Sequence, residues 1–130
     1  MITGSCLCRG ITFTIDGPLE RASHCHCTMC QKMHGAAFGS YAEVRDEDFR
    51  LVDPEKLLAS YASSEDVTRT FCSRCGSTLQ FIKHGRGRID IALGALDDAG
   101  DLHVIAEIFT SAKASWWDWD DPLESFSEHG

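Results

Sequence analysis

Residues 72–76 read Cys72-Ser73-Arg74-Cys75-Gly76, and residues 6–8 near the N-terminus read Cys6-Leu7-Cys8. Two thiolates separated by one or two residues can hold one metal ion in a tight turn, and Gly76 permits the positive φ that such turns often need. Closed structural zinc sites take four ligands, so the two cysteine pairs together would complete one site. Because Cys8 and Cys72 lie 64 positions apart, that site would close a long loop and contribute folding free energy.

The other three cysteines lie within Cys25-His26-Cys27-Thr28-Met29-Cys30. All seven cysteines therefore belong to three short clusters, and none remains for packing or a chance disulfide. Adding a pair to this triplet would exceed the four ligands of zinc, so we expect the triplet to bind its own ion. That second site is one protein ligand short, and catalytic metal sites keep such an open position.

Histidines flank the triplet on both sides, and His24, His26 or His34 would close the second site if one of them supplied the fourth ligand. The spacing does not decide between the closed and the open site. Zinc held by three thiolates is a weaker Lewis acid for water than zinc held by three histidines, which disfavours hydrolysis. It suits holding an incoming thiol as a nucleophilic thiolate, and addition of a thiol to a carbonyl is the implied chemistry.

Length and composition restrict the class of protein. A chain of 130 residues with 43% hydrophobic content is expected to form one domain. No signal-like or membrane-spanning apolar stretch is visible, and the odd number of cysteines favours thiolates over disulfides, so we expect a cytoplasmic protein without membrane contact. A net charge of −8 argues against a nucleic-acid partner, because phosphate binding needs clustered cations.

Alternating apolar and polar residues predict a mainly β fold with little helix. The predicted strands cover Ile11 to Ile15, Val67 to Phe71, Leu79 to Phe81, Ile89 to Leu93 and a small-residue run from Gly35 to Tyr41. Helical turns are predicted from Thr28 to Met33 and around Asp46 to Phe49, and residues 85–87 and 97–101 carry turn signals.

Three ordered motifs make the chain resemble the glutathione-dependent formaldehyde-activating enzyme family, which is grouped with the centromere protein V domain. The motifs are Gly4-Ser5-Cys6-Leu7-Cys8-Arg9-Gly10-Ile11, His24-Cys25-His26-Cys27-Thr28-Met29-Cys30-Gln31-Lys32 and Arg69-Thr70-Phe71-Cys72-Ser73-Arg74-Cys75-Gly76-Ser77-Thr78-Leu79. The resemblance extends to Leu96-Asp97, His103 and Lys113-Ala114-Ser115-Trp116, and it therefore covers nearly the whole chain.

The resemblance implies a fold, two metal sites and an activity. The fold would be the single-domain β-tent of small antiparallel sheets over residues 1–124, followed by a short polar tail over residues 125–130. A structural zinc would bind Cys6, Cys8, Cys72 and Cys75, and a second zinc would bind Cys25, Cys27 and Cys30. The implied reaction is reversible condensation of glutathione or a similar thiol with formaldehyde or another small aldehyde, which is a carbon–sulfur lyase reaction.

Three further residues are candidates for assisting this reaction. His26 lies beside the triplet and could act as the acid that protonates the oxyanion. Lys32 and Arg74 are the cations nearest to the cysteines in sequence, so they are candidates for binding the carboxylates of glutathione. Gln31 stands where the family often has a basic residue, which makes the particular thiol an open question.

Two other functions are compatible with the same residues. One is a non-catalytic zinc module that binds a protein partner, for which a closed Cys₃His site is expected. The other is a redox or metal-buffering protein that uses Cys25, Cys27 and Cys30 as labile thiols. Trp116, Trp117 and Trp119 could line a substrate cleft, but we expect them to pack against a core or an oligomer interface, so the sequence also permits an oligomer.

Overall fold

A computed structural model describes residues 1–129 and is mainly β, as the sequence predicts. Its strands are β1 (Ile2–Ser5), β2 (Thr12–Ile15), β3 (Glu20–Cys25), β4 (Gly39–Arg45), β5 (Phe49–Val52), β6 (Leu58–Ser64), β7 (Val67–Cys72), β8 (Thr78–Lys83), β9 (Arg88–Ala92) and β10 (Ala106–Ile108). One α-helix, α1 (Thr28–His34), lies between β3 and β4. Short 3-10 helices cover Asp46–Asp48, Leu93–Ala95 and Thr110–Ala112.

The strands form two sheets. The smaller sheet has the order β1-β2-β5, and the larger sheet has the order β10-β3-β4-β9-β8-β7-β6. Neighbouring strands are antiparallel except for β10, which runs parallel to β3 and places Glu107 opposite His24 and Ile108 opposite Cys25. The last strand thus adds to the sheet edge that carries the first cysteine of the triplet.

Two apolar clusters form the core, and each contains cysteines. The main cluster is built around Phe13 of the smaller sheet and Leu79 and Ile91 of the larger sheet, and it includes Cys6 and Cys72. The second cluster consists of Cys25, Cys30, Tyr41 and Ala92. Two thiols of each group are buried, namely Cys6 and Cys72 in the first and Cys25 and Cys30 in the second, whereas Cys27 and Cys75 are half-buried and Cys8 is exposed. Burial makes the pairing of the four buried thiols with a partner energetically important.

The helix α1 is bounded by residues that its sequence provides. Cys27 is the N-cap, and its Sγ accepts a hydrogen bond from the backbone N–H of Cys30 at 3.3 Å. Gly35 ends the helix in the left-handed conformation, with φ at 59° and its N–H donating to the Gln31 carbonyl. The strand predicted from Gly35 therefore begins only at Gly39, where a Cβ would lie 2.7 Å from Nε2 of His34.

The other predicted strands are present in β2, β7, β8 and β9, whereas the sequence patterns do not predict β1, β3, β5, β6 and β10. Residues 125–129 of the predicted tail are exposed and belong to no helix or strand, and Gly130 lies outside the described residues. The division into a domain over residues 1–124 and a tail stays a prediction. Within residues 1–129, no helix has the length and apolar character that crossing a membrane requires.

Candidate metal centres

Cys6, Cys8, Cys72 and Cys75 come together as the sequence predicts, and we call them the four-cysteine cluster. Their sulfurs all lie within 4.8 Å of one another. Cys6 and Cys8 approach from the turn after β1, while Cys72 ends β7 and Cys75 follows in the knuckle. Gly76 has φ at 79°, and its N–H donates to the Cys72 carbonyl at 2.8 Å. The knuckle therefore has the positive φ that its glycine predicts.

The spacing of these sulfurs fits a tetrahedral ion. Bonds of about 2.3 Å from zinc to sulfur place the corners of a tetrahedron about 3.8 Å apart. Cys6 Sγ lies 3.5 Å from Cys8 Sγ, and Cys8 Sγ lies 3.8 Å from Cys72 Sγ. Four thiols at these separations offer a donor set and a spacing that could hold a metal ion.

The surroundings of the four-cysteine cluster favour thiolates at its exposed side. The Arg74 guanidinium donates to Cys8 Sγ at 3.4 Å and lowers the pKa of that thiol. The Ser77 hydroxyl lies 3.3 Å from Cys75 Sγ and lowers the pKa of Cys75 to about 5. Burial instead raises the pKa of Cys6 to about 11. A metal binds the deprotonated thiol. The lowered pKa values of Cys8 and Cys75 therefore favour metal binding at these two residues.

Cys25, Cys27 and Cys30 form the second group, which we call the three-cysteine cluster. Their sulfurs also lie within 4.8 Å of one another. Cys25 ends β3, Cys27 caps α1 and Cys30 lies in the first turn of the helix, so one strand-to-helix corner supplies all three. The Cys30 thiol, by hydrogen bonding to Cys25, lowers the pKa of the Cys25 thiol.

None of the flanking histidines joins this cluster among residues 1–129. Nδ1 of His24 pairs with the Ser40 hydroxyl at 2.8 Å, and Nε2 of His34 pairs with the Tyr41 hydroxyl at 2.6 Å. His26 is fully buried, and its Nε2 lies 2.8 Å from the Glu107 carboxylate. Among residues 1–129, this cluster therefore consists of three sulfur atoms without a histidine nitrogen.

The three-cysteine cluster lines a cavity of about 280 Å³, which we call the cysteine cavity. Much of its wall is apolar, and it comes from Met29, Val67, Phe81, Ile108 and Phe109. The polar and charged residues of its lining are Arg21, Ser23, Tyr41, Glu43, Ser63, Ser64, Arg69, Arg86 and Asp90. A concave apolar site with a few convergent polar groups is the usual form of a small-molecule site.

Arg69 is the polar group closest to the cysteines and was not predicted to have a role. It lies in the middle of β7 and is 2% exposed. Its Nη1 and Nη2 atoms lie 3.7 Å and 3.8 Å from Cys30 Sγ, and Nη1 lies 3.5 Å from the Tyr41 hydroxyl. The sequence contains one indication of this position: Arg69 is a charged residue at a place in β7 where the alternating pattern predicts a side chain that points inward.

The three candidate assisting residues lie elsewhere. Lys32 is exposed on α1 and Arg74 is bound to Cys8 and Glu55, and neither lines the cysteine cavity. His26 does not line it either, although it lies between Cys25 and Cys27, and its action as an acid stays a prediction. Gln31 has a structural contact instead, because its amide donates to the carbonyls of His26 and Ala112 at 2.7 and 2.9 Å.

An aromatic group near the C-terminus covers the other side of the triplet. The ring centres of Trp117 and Trp119 lie 4.4 Å apart. Trp117 packs against Phe38 and His26, and Trp119 packs against His24. Nε1 of Trp119 donates to Glu107 at 2.9 Å, and Glu107 in turn holds His26. Trp117 is half-buried in this aromatic group, whereas Trp116 and Trp119 are 67% and 56% exposed, and the packing of these tryptophans against a core or an oligomer interface stays a prediction.

Comparison with known proteins places these features in context. A sequence model of the family described as glutathione-dependent formaldehyde-activating enzyme matches residues 1–112, which include all seven cysteines. A Schizosaccharomyces pombe protein described as an uncharacterized lyase is 31% identical over 78 residues, or 60% of this chain. That match spans 55% of the yeast protein.

The fold also has a counterpart among solved structures. The crystal structure of a Rhodobacter sphaeroides protein superposes with a TM-score of 0.65 at 19% sequence identity. The superposition covers 81% of this chain and 98% of the bacterial one. At this identity the likeness concerns the fold alone.

Proposed function

Since the chain belongs to the glutathione-dependent formaldehyde-activating enzyme family, we propose that it catalyses the reversible addition of a thiol to a small aldehyde. In the direction of cleavage this is a carbon–sulfur lyase reaction. The observation that carries the proposal is a three-cysteine cluster that lines a cavity and receives no fourth ligand from residues 1–129. A vacant ligand position that faces a cavity is where a substrate thiol can bind.

We further propose that each cluster binds one zinc ion, because sulfur-rich tetrahedral sites favour this metal. Cys6, Cys8, Cys72 and Cys75 would hold a structural ion, and Cys25, Cys27 and Cys30 would hold the second one. When bound, the second ion would supply a site at which a substrate thiol is deprotonated near neutral pH. Glutathione is the thiol that the family description implies, and formaldehyde is the corresponding aldehyde.

The residues of the chain would bind and orient the two substrates. The apolar part of the wall of the cysteine cavity would reduce the water around the sulfur of a bound thiol, which would strengthen the charged contacts there. Glu107 and His26 hold the segment between Cys25 and Cys27, since His26 is fixed by its bond to Glu107 and by the backbone bond from its N–H to the Ile108 carbonyl at 2.9 Å. This arrangement positions the cluster before substrate arrives, as expected for supporting residues of a metal site.

Metal counting and thiol titration test the proposal directly. We expect two metal ions per chain, and glutathione is expected to change the thiolate-to-cobalt absorption of the cobalt-substituted protein. S-methylglutathione is the matched control, because it keeps both carboxylates but lacks the thiol. No absorption change with glutathione would indicate a closed site and would contradict the proposal.

Catalysis needs its own measurement because thiols add to formaldehyde without an enzyme. We expect the protein to accelerate exchange between free and hydroxymethylated glutathione, measured by NMR exchange spectroscopy at equilibrium. The Cys27→Ser variant at the same concentration serves as the control for the uncatalysed rate. Equal exchange rates with wild type and variant would contradict an enzymatic role for this thiol and aldehyde.

The position of the histidines bears on the alternative of a non-catalytic module. That alternative is expected to close the triplet with a histidine, and the described histidines are directed to Ser40, Glu107 and Tyr41 instead.

Clusters that need free thiolates suit a reducing compartment, so we propose a cytoplasmic location.

A further inference from the structure

A buried arginine faces the three-cysteine cluster without a carboxylate partner among residues 1–129. The polar contacts of the Arg69 side chain are with Ser63, Tyr41 and Cys30. Buried guanidinium groups are normally paired with a carboxylate or phosphate, because desolvation of the charge is costly. Arg86, which lines the same cavity but is exposed, has two carboxylate partners, Glu43 at 3.1 Å and Asp90 at 3.3 Å.

The guanidinium plane of Arg69 is held on two sides. Its Nε donates to the Ser63 hydroxyl at 3.1 Å, and its Cζ lies 5.0 Å from the centre of the Phe81 ring. These contacts come from β6 and β8, the two strands that pair with β7. The remaining edge, formed by Nη1 and Nη2, therefore faces the cavity in a fixed orientation, with little rotamer entropy left to lose on binding a ligand.

The contacts at that free edge are long. The 3.5 Å from Nη1 to the Tyr41 hydroxyl exceeds the 2.7–3.2 Å that is typical of N–H···O bonds. The other contacts of this edge are with the larger sulfur atom of Cys30, at 3.7 and 3.8 Å, so neither nitrogen has a close oxygen partner there. The two nitrogens thus keep the capacity to donate to a closer oxygen. A fork of parallel N–H donors beside a sulfur nucleophile is the geometry of an oxyanion-binding group.

We propose that Arg69 is a catalytic residue that binds the carbonyl oxygen of the aldehyde and stabilises the oxyanion formed on it. The inference rests on the proposed thiol addition and extends it to a residue of β7. The substrate sulfur donates an electron pair to the carbonyl carbon, and a carbon–sulfur bond forms. The carbonyl π pair moves to oxygen, which accepts hydrogen bonds from Nη1 or Nη2 and then takes one proton from water to give the hydroxyalkyl thioether.

The charge balance explains why an arginine suits this position. Before addition, the negative charge resides on sulfur atoms near Cys30, and after addition one unit of it resides on the neighbouring oxygen. Arg69 lies against the cysteines and within the same cavity, so it stays close to the charge throughout. A fixed cation whose contacts improve as the charge reaches oxygen favours the transition state over the bound substrates.

The test compares Arg69→Lys and Arg69→Gln with the wild type. Arg69→Lys keeps a positive charge but loses the two-pronged donor, so we expect two bound metals, an unchanged cobalt response to glutathione, and a loss of kcat of about 100-fold. Arg69→Gln also loses the charge. Arg45→Gln, which removes an exposed arginine of β4 outside the cavity, is the matched control and should keep the wild-type kcat.

Formate binding gives a second measurement that does not depend on turnover. Formate carries a planar oxyanion on one carbon, and formamide is its neutral counterpart. By calorimetry on the zinc-loaded protein, Arg69→Gln is expected to raise the Kd of formate at least about tenfold and to leave weak formamide binding unchanged. If Arg69 had a purely structural role, Arg69→Gln would change the Kd of formate and the Kd of formamide by the same factor.

The outcomes separate this inference from the function on which it rests. A wild type that neither responds to glutathione nor accelerates exchange overturns the proposed function. A wild type that is active, with Arg69→Lys equal to it in kcat, overturns the role of Arg69 alone. Formate binding that is absent from the wild type or unaffected by Arg69→Gln also overturns the role of Arg69.

Discussion

The two cysteine clusters of this chain contain similar ligands but differ in how the fold forms them. The four-cysteine cluster joins residues 6–8 to residues 72–75, so it exists only when distant parts of the chain have met. The three-cysteine cluster comes from a single corner between β3 and α1. A cluster made by long-range contact contributes to folding, whereas a local cluster can be given a specialised environment without being needed to close the fold.

The residues around the two clusters also differ. The four-cysteine cluster packs against the main core and is surrounded by groups that serve the sulfurs, such as the Ile11 N–H at 3.4 Å from Cys6 Sγ. The three-cysteine cluster faces a cavity that brings Arg69 and Tyr41 from other strands. A cavity of about 700 Å³ also borders Cys6, so what distinguishes the two clusters is the number of sulfurs, four in the first and three in the second, and the buried cation beside the second.

Removal of a ligand from the four-cysteine cluster is expected to have the largest effect. Cys72 is fully buried in the main core, and its loss would leave an incomplete site that no longer joins the two ends of the loop. Structural zinc binding contributes on the order of 10 kcal/mol, which is comparable to the entire stability of a small domain. Cys72→Ser should therefore unfold at room temperature, as measured by circular dichroism and metal content. A folded Cys72→Ser protein would show that the cluster does not support the fold.

The same substitution in the three-cysteine cluster should separate stability from activity. We expect Cys27→Ser to remain folded with one metal ion, because Cys27 belongs to a local corner outside the main core. Thiol-dependent exchange should fall to the uncatalysed rate, and the thermal midpoint is the accompanying measurement. Unfolding of both variants to the same extent would refute the difference in role between the clusters.

The contacts behind the three-cysteine cluster are expected to have an intermediate effect. Trp119 donates to Glu107, which holds His26 between two of the cysteines. Loss of such supporting contacts typically lowers metal affinity by about 10- to 100-fold. Trp119→Phe keeps the ring packing but removes the donor, so it should weaken one of the two sites in competition with a zinc chelator.

Deletion of residues 125–130 is the matched control for Trp119→Phe. We propose that this tail lies outside the domain, and its described residues 125–129 are exposed. The truncated protein should retain wild-type affinity at both sites. Equal weakening by the deletion and by Trp119→Phe would attribute the effect to the C-terminus in general and not to the bond with Glu107.

The smallest expected effect concerns a charge network that belongs to neither cluster. Burial alone would raise the pKa of Glu43, but the Arg88 and Arg86 guanidiniums at 2.8 and 3.1 Å outweigh it and lower the pKa. Glu43 therefore stabilises the fold above its ordinary pKa of 4.5, and this contribution is lost as the pH falls through the lowered value. Glu43→Gln should cost about 1–2 kcal/mol at neutral pH.

Urea unfolding at neutral pH and at decreasing pH measures this contribution, with metal content recorded at each pH. The difference between wild type and Glu43→Gln should shrink on acidification. Glu47→Gln, at a residue whose side chain is 76% exposed, is the control and should change stability little. A difference that persists after full acidification would contradict an ionic contribution from Glu43.

Much of the fold was predictable from local patterns, and the exceptions have physical causes. The strands β2, β7, β8 and β9 alternate with a period of two because one face of each is buried. β3 was missed because its sequence Glu20 to Cys25 is mostly polar and one face packs under the C-terminal aromatic residues. β10 is only three residues long, and its parallel pairing with β3 depends on a partner more than 80 positions away.

The residues that surround the three-cysteine cluster were less predictable because proximity in sequence is a poor guide across a sheet. Lys32 and Arg74 lie near cysteines along the chain, but neither lines the cavity. Arg69 and Tyr41 lie in separate strands and meet at Cys30 only through the strand order β4-β9-β8-β7.

The sequence alone was sufficient to group the cysteines into two candidate sites and to indicate the family. It also suggested that one site is a ligand short. These results were possible because the number of ligands and their short spacings are properties of neighbouring residues. The folded chain alone shows that the histidines turn away from the three-cysteine cluster and that Arg69 faces it. Those outcomes depend on how strands from distant parts of the sequence pair and on which side chains burial forces together.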